Sequence, residues 1–459
     1  MRLHAFSKGL IALSFGLAAS ASHAATVAVV DSGLDTESKD LATKIWLNPI
    51  DSTLDGIDQD NNGVIDDIHG WSFVDNSYKL IDHKYANLYS NDIVRFFAVQ
   101  SAGLKGKATA EDKAWANSLR KDKSFTKRLS TYGNYAHGTH VSGIVANQGD
   151  GVKVLGVKLL ATENPLGSIR NSVSQALADG QDINFILRVI IKGGLGLLAQ
   201  AQAQVFTQIG EYIGGHKVDV VNGSFGIGPV QARVLLTPLL TLASGHQPAA
   251  KLVDEFVTFF LGEVIDKQAA FVNAAPSTLF VFASGNDGSN NDLLPTAPAN
   301  IKSDRVISVA ATFADGRLAP FSNFGAKTVD LAAPGVAIES TVPEDHRLFL
   351  SGTSQAAPHV AGTAGAIKTL NPALTPVQIK QIIIGTVDIK PELKDKVKSS
   401  GVLNNLRAQE AARLSLNDSL DSAITHARSQ VPDVATEEAL VGTPDMSMWL
   451  DLQPHVLSN

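Results

Sequence analysis

Runs of β-branched and other apolar residues recur along the chain at Thr26–Val30, Val152–Leu160, Val218–Val221, Leu279–Phe282, Val306–Ala310 and Thr328–Leu331. The runs are near-continuous rather than strictly alternating, which predicts strands covered on both faces. Helix-like segments lie between several of them: Ser168–Ala178, Ala232–Leu242, Val253–Gln268, Ser354–Leu370 and Thr375–Ile384. Pro238, inside the second of these, predicts a kink or a shorter helix. Strands alternating with helices predict an α/β fold whose mainly parallel central sheet has helices on both faces. Chemistry in such sheets gathers at the carboxyl ends of the strands. Asp31, Asn222 and Ser284-Gly285-Asn286 stand at three of those ends.

Three stretches fit the alternation less well. Residues 77–133 are charged and predict two or three helices, residues 180–215 hold an apolar glycine-containing segment, and residues 229–275 predict two helices joined by a loop at Ser244–Pro248. All three are expected as helical insertions on the rim of one domain spanning 25–412, followed by an acidic tail over 413–459. Residues 1–24 have Arg2 and Lys8 ahead of an apolar run from Leu10 to Ala19, then the small residues Ser22 and Ala24 around His23. That is the pattern of a secretion signal, and the run is too short to span a bilayer permanently.

Composition narrows the classes. Hydrophobic residues at 44% and charged residues at 18% describe a globular chain with a sizeable core. A net charge of −7, with no basic patch interleaved with aromatics, argues against a nucleic-acid partner. The absence of cysteine removes disulfides, a thiol nucleophile and a lipid anchor. The expectation is an exported protein, secreted or periplasmic, without a stable membrane anchor; no feature of the sequence speaks to oligomeric state.

Three residues carry the chemistry. Ser354 stands between a Gly-Thr turn and a run of small helix-forming residues, so it is expected to cap a helix, with free N–H groups beside its hydroxyl. Pro358 is expected in the first turn, where a missing N–H costs little. A serine hydroxyl needs an imidazole to take its proton, and the imidazole needs a carboxylate to fix its tautomer. Alone, Asp31 reads as a strand-end turn residue and His137 as a helix-start or metal-type histidine. In the order Asp31, His137, Ser354, each in a glycine-containing segment, they read as a nucleophilic triad.

The segments VAVVDSGLD, HGTHVSGIVA, VVNGSFG, VFASGNDG, FSNFG, DLAAPG and GTSQAAPHVAG resemble, in this order, the signature blocks of the subtilisin family of serine endopeptidases. The resemblance runs from about Thr26 to Ala412 and implies a three-layer fold and hydrolysis of protein or peptide substrates through an acyl-enzyme. It implies Asp31 as the orienting acid, His137 as the base, Ser354 as the nucleophile and Asn286 as a side-chain oxyanion donor. It also implies that Ser224, Phe225 and Gly226 pair with substrate backbone. Four features depart from the family or qualify it. Ile227 stands where a second glycine is common, which is expected to reshape the substrate pocket. Gln355 follows the serine in place of methionine. Asp287 is a candidate for favouring basic substrate residues. Asp31 follows the expected signal cut by a handful of residues, implying folding without an N-terminal prosegment. A rival reading keeps the scaffold but makes it an inactive binder of peptides.

The segment DGIDQDNNGVIDDIHGWSF, residues 55–73, is a second signal. Asp58, Asp60 and Asn62 alternate as in a calcium loop, with Asp66 and Asp67 in reach to complete an oxygen shell. The closing position of an EF-hand would fall on His69, so a structural calcium site of another kind is expected, held by Asp58, Asp60, Asn62 and Asp66. No organic cofactor is expected. HGTH lacks the spacing and glutamate of a metalloprotease helix, and no P-loop lysine pattern supports a nucleotide hydrolase.

Overall fold

The computed structural model describes residues 24–163, 185–434 and 443–449. The expected secretion signal up to His23, the helix expected at Ser168–Ala178 and parts of the tail lie outside the described residues.

Each strand of the central sheet is short and buried. In chain order they are β1 (Thr26–Asp31), β2 (Gly70–Ser72), β3 (Lys153–Lys158), β4 (Val220–Gly223), β5 (Leu279–Ala283), β6 (Val306–Thr312) and β7 (Leu331–Pro334). A separate antiparallel hairpin, β8 (Ile338–Val342) and β9 (His346–Leu350), follows, and then β10 (Asp388–Ile389) and β11 (Gly401–Val402). The sheet order is β10-β11-β7-β6-β5-β4-β1-β3-β2, parallel throughout except for β10 against β11. Five of the six predicted strands overlie β1, β3, β4, β5 and β6, and the sixth, predicted at Thr328–Leu331, is displaced to begin at Leu331. The five additional strands are short or belong to the hairpin, too brief to stand out as apolar runs.

The helices are α1 (Asn91–Leu104), α2 (Ala110–Lys121), α3 (Lys123–Ala146), α4 (Phe185–Gly215), α5 (Pro229–Ser244) and α6 (Ala250–Ala274). Beyond the hairpin come α7 (Thr353–Leu370), α8 (Pro376–Gly385), α9 (Asn405–Leu414) and α10 (Leu420–Gln430). Successive residues of β1 explain why its sequence lacks alternation. Val27 and Val29 join a core with Val141 and Val145 of α3 and Val360 and Ala364 of α7, while Ala28 and Val30 join one with Phe206 and Ile213 of α4 and Phe271 of α6. The fold is therefore three layers, helices on both faces of a parallel sheet.

Three expectations change. The stretches at 180–215 and 229–275 do not sit only on the rim: the ends of α4 and α6 nearest Phe206 and Phe271 cover one face of the sheet. Their other halves pair with α5 in a cluster around Leu236, Phe256 and Phe260. α5 runs unshortened from Pro229 to Ser244 through Pro238. Part of the expected tail is helical, with α10 burying Ala423 and Ala427. Residues 77–133 form a short 3-10 helix at His83–Leu88, then α1, α2 and the first turns of α3, packed through Phe96, Phe125 and Leu129 against Leu348 and Leu350 of the hairpin.

α3 approaches the turn after β1 very closely. A Cβ on Gly138 would stand 2.0 Å from the carbonyl oxygen of Gly33, so only hydrogen fits. Gly138→Ala should therefore destabilise the protein by about 1–3 kcal/mol, the usual cost of forcing extra volume into a packed contact. A denaturant midpoint unchanged from wild type would contradict this packing.

Candidate active site

β1 delivers Asp31 to the carboxyl edge of the sheet, where its side chain is sealed from water. Asp31 Oδ1 accepts the Ser32 backbone N–H at 2.7 Å and lies 2.7 Å from His137 Nδ1. That contact fixes the proton on Nδ1 and leaves Nε2 as the basic nitrogen. His137 lies well inside α3 rather than at a helix start, is 3% exposed, and its Nε2 has no hydrogen-bond partner among the described residues. The other two histidines of these segments differ. Burial lowers the pKa of His140 to about 3 and that of His359 to about 4, so both are neutral. His140 Nε2 holds the carbonyls of Ile338 and Leu348 at 3.1 Å each and ties α3 to the hairpin.

Ser354 is not the cap of α7. Gly352 is the N-cap, and Ser354 is the second helical residue, still among those whose N–H groups have no partner within the helix. Pro358 is correspondingly deeper than expected. It stands at the position whose N–H would bond the Ser354 carbonyl, and it has none to give. Ser224, just past β4, fills the gap: its hydroxyl donates to the Ser354 carbonyl at 3.0 Å, and the Ser354 hydroxyl donates back to the Ser224 carbonyl at 2.8 Å. Asn222 Nδ2 donates to the Ser224 hydroxyl oxygen at 2.9 Å.

Asn286 follows β5. Its Oδ1 accepts the backbone N–H of Thr353 at 2.9 Å and the Thr353 hydroxyl at 3.0 Å, which directs the amide toward the start of α7. The turn needs Gly285, whose φ of +108° is open to glycine. Phe225 is buried with its ring 5.8 Å from that of Phe206, and Gly226 leaves room for the Ala297 carbonyl, 2.7 Å from where a Cβ would be. Ile227 pairs its backbone with Ala297 at 2.9 and 3.0 Å, and its side chain packs among Ala232, Leu236 and Phe260. Asp287 accepts from Gln231 Nε2 at 3.1 Å.

The acidic loop gathers a different set of groups from the one expected. Carboxylate oxygens of Asp51, Asp58 and Asp60 lie within 4.8 Å of one another, and those of Asp60 and Asp67 lie equally close to a ring nitrogen of His216. Asp66 turns away to accept the N–H groups of Asp55 and Gly56, and the Asn62 amide donates to Asp67 at 3.0 Å. Asp51 Oδ2 accepts the Asp66 N–H at 3.0 Å, whereas its Oδ1 is buried with no partner among the described residues. Burial above all, with the carboxylates of Asp67, Asp60 and Asp66, pushes Asp51 above the usual carboxyl range against that hydrogen bond.

The sequence matches the Subtilase family over residues 22–412. The chain belongs to the subtilase family. It is 31% identical over 259 residues to Subtilisin BL of Lederbergia lenta, covering 56% of this chain and 72% of that protein. It is 25% identical over 396 residues to Subtilisin-like protease 1 of Plasmodium vivax, covering 84% of this chain but 47% of that one. Alkaline elastase YaB of Bacillus sp. (strain YaB) is 39% identical over 125 residues, of which this chain spans 32% of the length. A cold adapted subtilisin-like serine proteinase of known crystal structure aligns over 83% of this chain at 18% identity with a TM-score of 0.42.

Within this subtilase, sequence reasoning missed Thr353, Asp51 and His216. Thr353 lay in plain view beside Ser354, but only the fold places its hydroxyl on Asn286. The Ser224–Ser354 pair yields a test. Ser224→Ala should cost about 1–3 kcal/mol, because it removes a buried hydrogen bond to the Ser354 carbonyl and takes away the acceptor of Asn222 Nδ2. The cost should shrink in a Pro358→Ala background, where the helix regains its own N–H. Equal costs in both backgrounds, by urea unfolding, would remove that carbonyl from the explanation.

Proposed function

We propose that the protein is an exported serine endopeptidase in which Ser354 is the nucleophile, His137 the general base, Asp31 its orienting acid and Asn286 an oxyanion donor. The observation that carries this reading is the sealed 2.7 Å contact between Asp31 and His137 Nδ1, with Nε2 left unpartnered. Attack begins when the Ser354 hydroxyl exchanges the Ser224 carbonyl for His137 Nε2, a side-chain rotation of a kind often completed only when substrate binds. Ser354 Oγ bonds to the peptide carbonyl carbon as its proton passes to His137 Nε2. The developing oxyanion is met by the Ser354 backbone N–H and the Asn286 amide. Collapse breaks the C–N bond, the amine leaves with the proton from His137, and water then releases the acyl group by the same steps.

Protein or peptide substrates follow from the family, and export rests on the N-terminal pattern of basic, apolar and small residues. Among the described residues no helix is long and apolar enough to cross a membrane. The bond that parks the Ser354 hydroxyl on Ser224 favours the alternative, an inactive peptide-binding scaffold. Labelling with an active-site phosphonate separates the two, since only a competent triad becomes modified. Ser354→Ala should abolish casein hydrolysis with the fold intact, and Asn286→Ala should lower kcat roughly 10²–10³-fold. Retained turnover in Ser354→Ala would overturn the assignment.

Calcium is proposed as a structural ion held by Asp51, Asp58 and Asp60. Oxygens bound at about 2.3–2.6 Å from a common ion lie within about 5 Å of each other, the separation these three carboxylates have. The buried, unpartnered Asp51 Oδ1 is the oxygen that most needs such a partner. Chelation should lower Tm and added calcium restore it, while Asp51→Asn should abolish both shifts. A Tm indifferent to chelator would exclude the site.

A further inference from the structure

The segment 443–449 lies far beyond the last matching family residue, yet it is fastened to the rim of the candidate active site. On one side, the Asp445 N–H donates to the Gly103 carbonyl of α1 at 3.0 Å, Lys113 of α2 pairs with the Asp445 carboxylate at 2.7 Å, and Arg120 donates to the Ser447 carbonyl at 2.5 Å. α1 and α2 belong to the insertion that leads into α3 and His137. On the other side, the Trp449 ring lies flat on Phe321, centroids 4.2 Å apart and planes 2° from parallel.

Phe321 belongs to the oxyanion wall. Its carbonyl accepts the Gly288 N–H at 2.7 Å, two residues past Asn286, whose own oxygen holds Thr353 beside Ser354. Asp445 and Trp449 are four residues apart, and four residues reach at most about 14 Å when fully extended. The segment therefore crosses directly between the wall that leads to His137 and the wall that carries Asn286 and Ser354.

The sheet order shows which part of the cleft is crossed. Ser224 follows β4, Asn286 follows β5 and Phe321 lies in the loop after β6, so Phe321 is on the far side of Asn286 from Ser224. Substrate pairing with Ser224–Gly226 on the acyl side would extend its leaving portion toward Phe321.

We propose that residues 443–449 form a built-in strap that competes with the leaving-group portion of the substrate, so that the protein is held partly inhibited by its own C-terminal segment. This rests on the peptidase reading above. Trp449→Ala should lower KM for a peptide extending four residues past the scissile bond by about tenfold, the scale of one aromatic contact. kcat should stay unchanged, and KM for a p-nitroanilide with the same acyl residues should move less than twofold. The free peptide of residues 443–449 should restore inhibition competitively. An unchanged KM for the extended peptide, or equal changes for both substrates, overturns the proposal. Binding of the extended peptide to Ser354→Ala and to Ser354→Ala with Trp449→Ala, by fluorescence anisotropy, separates the two readings. The second protein should bind about tenfold more tightly whether or not the wild type turns over, and equal affinities overturn the strap alone.

Discussion

A carboxyl group without access to water must be met by donors or it destabilises the fold around it. Asp31 is such a group: one oxygen is met by Ser32 and His137, and the other has no hydrogen-bond partner among the described residues. Much of the local architecture serves to bring those donors in. α3 lies against the β1 turn so closely that Gly138 touches Gly33, and three further bonds hold the pair. The Ser32 hydroxyl donates to the Asn134 carbonyl, the Gly138 N–H donates to Ser32 Oγ at 3.3 Å, and the Asp35 N–H donates to Thr139 Oγ1 at 2.9 Å. The imidazole is positioned by backbone packing first and by its own hydrogen bond second.

Ser354 is held by a different device. A proline placed where α7 should have satisfied the Ser354 carbonyl creates a vacancy, and Ser224 from the neighbouring strand end fills it. The segment expected to pair with substrate and the segment carrying Ser354 are thereby locked to each other by two reciprocal bonds. Thr353 does the same on the other flank, holding Asn286 by two donors on one oxygen. Strand ends β4 and β5 thus clamp the first turn of one helix from both sides.

The parallel strands were legible because each is buried on both faces, which writes a continuous apolar run into the sequence. Asp31, His137, Asn286 and Ser354 were legible because each stands in a glycine-containing segment at an element end or a close contact. The exact footing of Ser354 was not. A Gly-Thr-Ser start leaves the cap ambiguous by two residues, and the depth of Pro358 depends on where the helix begins. The acidic loop was legible as a cluster and illegible as a ligand set. Asp51 precedes the alternating stretch, and His216 arrives from the end of α4, more than a hundred residues later. No spacing rule reaches that far, because the contact is made by helix packing rather than by a local turn.

The acidic loop and the α1–α2 pair attach at an edge strand or outside the central sheet, whereas the inner ends of α4 and α6 cover one of its faces. The acidic loop precedes β2, an edge strand, and is tied to α4 through Tyr212 and His216, which meet Asp67 at 2.7 and 2.9 Å. Burial works to raise the Asp67 carboxyl, but His216, Tyr212 and Asn48 together hold it below its ordinary range, so that joint is anchored by a charged group rather than by apolar packing alone. The outer halves of α4 and α6 pack with α5, and α1 and α2 pack on the β8–β9 hairpin. β1, β4 and β5, whose ends carry Asp31, Ser224 and Asn286, keep uninterrupted parallel register with one another. Site geometry set by strand register can therefore survive large insertions, which are free to border the proposed cleft at its rim. That is where they can alter what enters without disturbing the groups expected to act on it.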